Sequence, residues 1–157
     1  MARVHRIAVA GAGSVALLGG ALAFQYLGGL YPCQMCIWQR WPHGLAIAAA
    51  LVALLVPSTR RPLAILGGLI VLVGAGIGLF HAGVEQGWWE GVTACASNQD
   101  VGALSADELL NQILEAPVVR CDEIPWSLGG LSMAAWNAVL SLVIAVVWLS
   151  AGRHRVA

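Results

Sequence analysis

Apolar and polar positions fall in long blocks along this chain rather than alternating singly. Ile7 to Leu27 runs without a charge, and Trp41 to Val56 is interrupted only by Pro42 and His43 near its start. Leu63 to Phe80 and Leu131 to Ser150 are also uncharged. A bilayer core of roughly 30 Å needs about 20 helical residues, with about 17–25 tolerated. The first and fourth blocks have that length. The second and third are a little short and would thin the bilayer or stand upright in it. In lipid each block must be a helix, because unpaired backbone groups find no partner there. The pattern predicts an all-α membrane protein, a four-transmembrane-helix bundle making one integral membrane domain over residues 1–157. Its spans are expected at 7–27, 41–56, 63–80 and 131–150, with a short loop at 28–40 and a long one at 81–130.

Composition agrees and narrows the function classes. Hydrophobic residues make up 59% of the chain and charged ones 10%, whereas a soluble domain carries about 25% charged residues. A water-soluble globule, a disordered chain and a nucleic-acid binder are thereby excluded, the last two because they need high charge or a basic surface. Net charge is zero, but the charges are segregated. There is no lysine; Arg3 and Arg6 precede the first span, Arg60 and Arg61 separate the second and third, and Arg153 and Arg155 follow the fourth. All eight acidic residues, from Glu85 to Glu123, lie in the long loop. Arginine-rich segments stay in the cytoplasm, so both termini are expected inside and both larger loops outside. Ala21-Leu22-Ala23 could pass for a signal-peptide cleavage site; because the apolar run continues to Leu27, an uncleaved anchor is expected.

All four cysteines, Cys33, Cys36, Cys95 and Cys121, fall on the outer side of this topology. Outside a bacterial inner membrane the compartment is oxidising and disulfides persist. Four cysteines allow three connectivities. Spacing favours Cys33 with Cys36, which leaves Cys95 with Cys121. Two structural staples are the plain alternative, but a bridge across two residues removes little unfolded-state entropy. The Cys33-Gln34-Met35-Cys36 pair suits opening and closing better than stapling. Zinc has the right number of thiols, but no second CxxC is present and thiols are lost to disulfides in such a compartment. No metal site is expected.

Cys36 and Arg40 are four residues apart and share a helical face if the helix begins by Cys36. Cys36 would then sit in the first turn, at the positive end of the helix dipole and beside a guanidinium, both of which favour thiolate over thiol. A low-pKa sulfur at the hydrocarbon boundary can reach a protein disulfide in the water outside or a quinone dissolved in lipid. Arg40 alone would read as a residue that snorkels to the headgroups; its register with Cys36 argues for a role in the site. His81 ends the third span at the same depth and is a candidate hydrogen-bond partner for a quinone carbonyl.

The other features are structural in character. Ser105-Ala106-Asp107-Glu108 is a capping box, followed by Leu109, Leu110, Ile113 and Leu114 on one stripe. This predicts a short helix on the membrane surface or packed on the bundle. Ala94 to Asp100, small and polar, is expected to let Cys95 move, and Pro117 and Pro125 to interrupt helices around Cys121. Gly67, Gly68, Gly74 and Gly78 permit close helix contacts, and Asn137 is expected to bond across helices. Trp38, Trp41, Trp88, Trp89, Trp126 and Trp136 cluster toward the outer interface as an aromatic belt.

Cys33-Gln34-Met35-Cys36-Ile37-Trp38-Gln39-Arg40 resembles the CxxCxxQR signature of the disulfide bond formation protein B (DsbB) family. The resemblance extends over nearly the whole chain: four spans, the two loops, two cysteines 26 residues apart, His81, and Cys121-Asp122-Glu123-Ile124-Pro125-Trp126 leading into the last span. Met35 stands where the family often has leucine, and Gln39 where some members have glutamate. The resemblance implies a dithiol:quinone oxidoreductase of the bacterial inner membrane that reoxidises a periplasmic thioredoxin-fold oxidant of the DsbA type. It implies that Cys95 forms the mixed disulfide with that partner and that Cys121 resolves it. Cys33 then exchanges with the loop pair and Cys36 passes electrons to the quinone, ubiquinone or menaquinone. Arg40 would steady the thiolate and the quinone oxygen, and His81 would line the same pocket. Two alternatives remain. One is a non-catalytic membrane scaffold with static disulfides. The other is a redox protein like vitamin K epoxide reductase, in which the CxxC belongs late in the chain, whereas here it opens span two.

Overall fold

The structure, a computed structural model, describes residues 1–91 and 119–153. Among these are four long helices, α1 (Ala2–Tyr26), α2 (Gln34–Leu55), α3 (Arg60–Glu85) and α4 (Met133–Arg153), and a small hairpin of β1 (Ser127–Leu128) and β2 (Leu131–Ser132). Neighbouring helices pack in a ring, α1 on α2, α2 on α3, α3 on α4 and α4 back on α1, with α3 against α4 the most extensive. Among the described residues three apolar stretches of helix, Ala2–Tyr26, Pro57–Glu85 and Met133–Arg153, are long and apolar enough to cross a membrane. Leu and Val side chains such as Leu51, Leu69, Val73, Val143 and Val146 face outward, exposed.

The helices outrun the uncharged windows. α2 begins at Gln34 rather than Trp41 and passes straight through Pro42; α3 runs from Arg60 to Glu85 rather than from Leu63 to Phe80. Gln39 and His81, just beyond those windows, are buried, and the Glu85 side chain is buried beside His81, so these polar residues extend their helices rather than terminate them.

The α2–α3 link is a single tight turn. Val56 is extended, Pro57–Thr59 makes one 3-10 turn, and the Thr59 hydroxyl donates to the Val56 carbonyl at 2.8 Å. Arg60 donates to the Ala53 carbonyl, Arg3 to Ala151 and Arg6 to Ser150. Three arginines thus serve carbonyls that helix ends leave without a backbone partner. They gather the start of α1, the α2–α3 turn and the end of α4 at one end of the bundle.

The core near that end is built of small residues around one large one. Ala46, Ala49, Ala50, Ala53, Ala64 and Ala145 surround the fully buried Trp148. A Cβ on Gly67 would meet the Trp148 ring at 3.0 Å, and one on Gly74 would meet Pro42 at 2.9 Å. The glycines of α3 therefore let its neighbours approach to backbone contact, as the sequence suggested. At the opposite end, Gly129 and Gly130, both with positive φ, form the two-residue turn of the hairpin. The Trp136 indole donates to the Leu128 carbonyl, which ties the hairpin to α4.

Candidate redox site

The α1–α2 turn delivers the first cysteine pair. Gly29 takes φ +67, and across it the Leu30 N–H reaches back to the Phe24 carbonyl. The chain then runs extended into Cys33, the N-cap of α2, whose sulfur accepts the Cys36 N–H at 3.3 Å. A cysteine here takes the place of the usual Ser or Asp cap. One turn later Cys36 Sγ lies 3.0 Å from Cys33 Sγ, with Cys33 donating. His81 Nε2, from α3, lies 3.6 Å from Cys33 Sγ.

This geometry separates the two thiols, both of which precede the apolar run that begins at Trp41. Donation to Cys36, reinforced by burial, pushes the Cys33 thiol up to about 12. Acceptance of the same hydrogen bond, opposed by burial, lowers Cys36 below its ordinary 9.0. The start of α2 adds a favourable dipole for an anion at Cys36. In the reduced protein, iodoacetamide should therefore modify Cys36 first, with a pH midpoint below that of an ordinary thiol. Cys33 should stay protonated and unreactive until strongly alkaline pH. Peptide mapping by mass spectrometry reads the order, and preferential labelling of Cys33 at neutral pH would reverse the assignment.

Arg40 lies in the same cavity as Cys36, as the register predicts, but its guanidinium is engaged elsewhere. Nη1 donates to Gln25 Oε1 of α1 at 2.6 Å, and the buried Nε has no partner among the described residues. Thiolate character at Cys36 thus comes from Cys33 and the helix start rather than from the guanidinium. His81 is buried instead of solvated, with Glu85 Oε1 at 3.9 Å one turn on. Cys121 packs with Cys36 and Phe80 against Cys33, Met35 and Val84. The structure therefore brings Cys33, Cys36, Cys121 and His81 together. Cys95, the segment Ala94 to Asp100, Pro117 and the expected helix at 105–115 lie outside the described residues.

Beside these groups is a cavity of about 660 Å³ between α1, α2 and α4. Its walls are mainly apolar, and Cys36, Arg40, His81, Glu85, Trp126 and Trp136 reach into it. Trp126 and Trp136 thus wall a cleft.

Sequence reasoning undervalued a polar chain behind His81. Gln39 Nε2 lies 2.8 Å from His81 Nδ1 and donates to the Met35 carbonyl at 3.2 Å. Gln39 Oε1 accepts from Asn137 Nδ2 of α4 at 2.7 Å; Asn137 Oδ1 meets His43 Nε2 at 3.0 Å, and Ser141 Oγ lies 3.3 Å from the same nitrogen. A Cβ on Gly78 would press on Gln39 Oε1 at 3.1 Å. One signal was available: Cys36, Gln39, Arg40 and His43 recur at helical spacing, a polar face that lipid would not tolerate.

The family model for disulfide bond formation protein DsbB matches residues 4–151. The chain belongs to the DsbB family. It is 33% identical over 143 residues to a disulfide bond formation protein B of Polaromonas sp. (strain JS666 / ATCC BAA-500), covering 86% of this chain and 82% of that one. To a protein of the same name in Methylococcus capsulatus it is 35% identical over 136 residues, covering 81% and 80%. An uncharacterized protein of Rickettsia prowazekii, RP370, is 23% identical over 134 residues, covering 85% and 78%. No solved structure gave a significant match. As a DsbB-family member the chain is a membrane protein with an oxidoreductase role in disulfide formation. Within this DsbB-type site, Cys33, Cys36 and His81 hold donor atoms within 4.8 Å of one another, a spacing that would also suit a metal. Which of the two chemistries the trio is built for depends on which His81 nitrogen carries the proton.

Proposed function

We propose that the protein reoxidises a periplasmic DsbA-like dithiol protein and passes the two electrons, through Cys95/Cys121 and then Cys33/Cys36, to a membrane quinone. The observation that carries this reading is the Cys36 sulfur, favoured as thiolate, at the wall of a cavity that also holds Arg40. A volume of about 660 Å³ lies in the range of small-molecule sites, and mainly apolar walls with a few polar groups are their usual lining. The buried Arg40 Nε, without a partner among the described residues, is a donor that a ring carbonyl could satisfy. A quinone, ubiquinone or menaquinone, supplies a two-electron acceptor when bound there.

The protein's own groups divide the work. The partner's dithiol loses two electrons and two protons and becomes a disulfide as the Cys95–Cys121 disulfide opens to a dithiol. A partner thiolate attacks Cys95, which holds the mixed disulfide as Cys121 leaves as the thiolate, and the partner's second thiol then displaces Cys95. Cys33 then exchanges with the loop pair, so that the Cys33–Cys36 disulfide opens and the Cys95–Cys121 bond re-forms. Each exchange is a thiolate attack on a disulfide sulfur. The position of Cys121 beside Cys36, Cys33 and His81 supports a meeting of the two pairs. Cys36 presents its sulfur to the cavity and Arg40 offers positive charge beside it.

The orientation belongs to the same proposal: four spans, both termini in the cytoplasm, and the cysteines on the periplasmic side of a bacterial inner membrane. It rests on the arginines at one end of the bundle and the cysteines at the other, read with the preference of arginine for the cytoplasm. The deciding experiment follows ultraviolet absorbance of a short-chain ubiquinone or a menaquinone analogue mixed with purified protein, with and without a reduced thioredoxin-fold partner. One quinone should be reduced per partner dithiol oxidised, and only when all three are present. No quinone reduction with either analogue would sink the proposal.

A further inference from the structure

Gln39, His81 and Asn137 come from three helices and meet behind the cysteine pair, and their hydrogen bonds leave little freedom. The side-chain atom of Gln39 that faces the Met35 carbonyl also faces His81 Nδ1. A carbonyl accepts only, so that atom must be the amide nitrogen. His81 Nδ1 must then accept, which puts its proton on Nε2, the nitrogen turned toward Cys33. The other end of the Gln39 amide is pinned as well. Its oxygen receives Asn137 Nδ2, and the Asn137 oxygen faces His43 Nε2. Inverting the Gln39 amide would set oxygen against the Met35 carbonyl and nitrogen against the Asn137 amide nitrogen, two repulsions at once.

We propose that Gln39, clamped by the Met35 carbonyl and Asn137, is a positioning residue that holds His81 in its Nε2–H form, so that His81 donates a hydrogen bond to Cys33. His81 Nε2 in that form offers no lone pair. It is neither a base toward Cys33 nor a metal ligand, and the Cys33–Cys36–His81 trio is built for thiol chemistry rather than for a soft metal ion. The donors run in one direction, His81 to Cys33 and Cys33 to Cys36. When Cys33 is released as the leaving sulfur, the His81 proton already faces it. That last consequence rests on the exchange at Cys33 proposed above; the proton position does not.

The test uses the reduced full-length protein in nanodiscs, ¹⁵N-labelled in its histidine rings. Long-range ¹H–¹⁵N spectra distinguish the two tautomers, and the His81 signals are those missing from a His81→Asn variant. The expected result is Nε2–H in the unmodified protein and a mixture of tautomers in Gln39→Met, which keeps the length but loses the donor. A His81 that carries its proton on Nδ1 in the unmodified protein overturns the proposal, and no variant is needed to see it. So does a Gln39→Met spectrum with the original single form. In a second arm, Cys33 is alkylated in a Cys36→Ser background with and without Gln39→Met. Loss of the oriented donor should slow alkylation at neutral pH by about tenfold, the scale of one hydrogen bond to a charged group; an unchanged rate counts against the donor role. Neither arm involves quinone or partner, so a failure of the proposed function would leave both results standing.

Discussion

Cys36→Ser is expected to bring partner-dependent quinone reduction down to background while leaving the helical fold intact. Serine is nearly isosteric with cysteine, and the half-buried position packs mainly against Cys33 and its neighbours. What is lost is chemical. A serine hydroxyl is not ionised at neutral pH and cannot form a disulfide with Cys33, so electrons reaching Cys33 have no onward carrier. The same variant carries an internal control. Cys33 is held near 12 first of all by its hydrogen bond to Cys36. With that thiolate gone, the Cys33 midpoint should fall back toward an ordinary thiol, helped by His81 from the other side. Alkylation of Cys33 should therefore become faster at mildly alkaline pH in the variant than in the parent protein. A scaffold with static disulfides predicts neither result, since it would reduce no quinone even in the parent protein, and full activity in Cys36→Ser would remove Cys36 from the electron path.

The layout of this fold was largely legible because its signals run in one dimension. Apolar blocks and segregated arginines need no knowledge of tertiary contacts, and four helices appear in the expected order. The boundaries were not legible, for a physical reason. Hydropathy assigns Gln39 and Arg40 to water, yet each faces the bundle interior, where Asn137 and Gln25 receive it. Glu85 likewise extends α3 because its side chain is buried beside His81. A polar group inside a bundle and one in a loop look alike until the partner helix is known.

The site divides along the same line. The cysteine pair was visible from spacing alone, since CxxC at a helix start is a local motif. The target of Arg40 was not, because a long side chain on the correct face still chooses among partners, and Gln25 lies fifteen residues away on another helix. The chain from His81 through Gln39 and Asn137 to His43 joins three helices, and no local pattern announces such an arrangement. Asn137 was expected to bond across helices and does so, but the sequence held no sign that it would reach His81 through Gln39.

Arg40→His should raise the KM for quinone by about 10- to 100-fold, because a hydrogen bond to a charged group contributes about 1.5–3 kcal/mol. The guanidinium spans two tasks. Nη1 holds Gln25, and the buried Nε, without a partner among the described residues, lies at a cavity large enough for a ring. Histidine is too short to keep Gln25 and still present a charge to the cavity. The reaction between partner and protein, measured in single turnover without quinone, should keep its rate, since the Arg40 guanidinium is held by Gln25 rather than by either thiol of the pair. The alkylation midpoint of Cys36 should also stay where it is, because Cys33 rather than the guanidinium lowers it. This separates two roles that helical register alone would merge. A Cys36 midpoint that rises in Arg40→His would show that the guanidinium leaves Gln25 for the thiolate. An unchanged KM would remove Arg40 from the quinone site altogether.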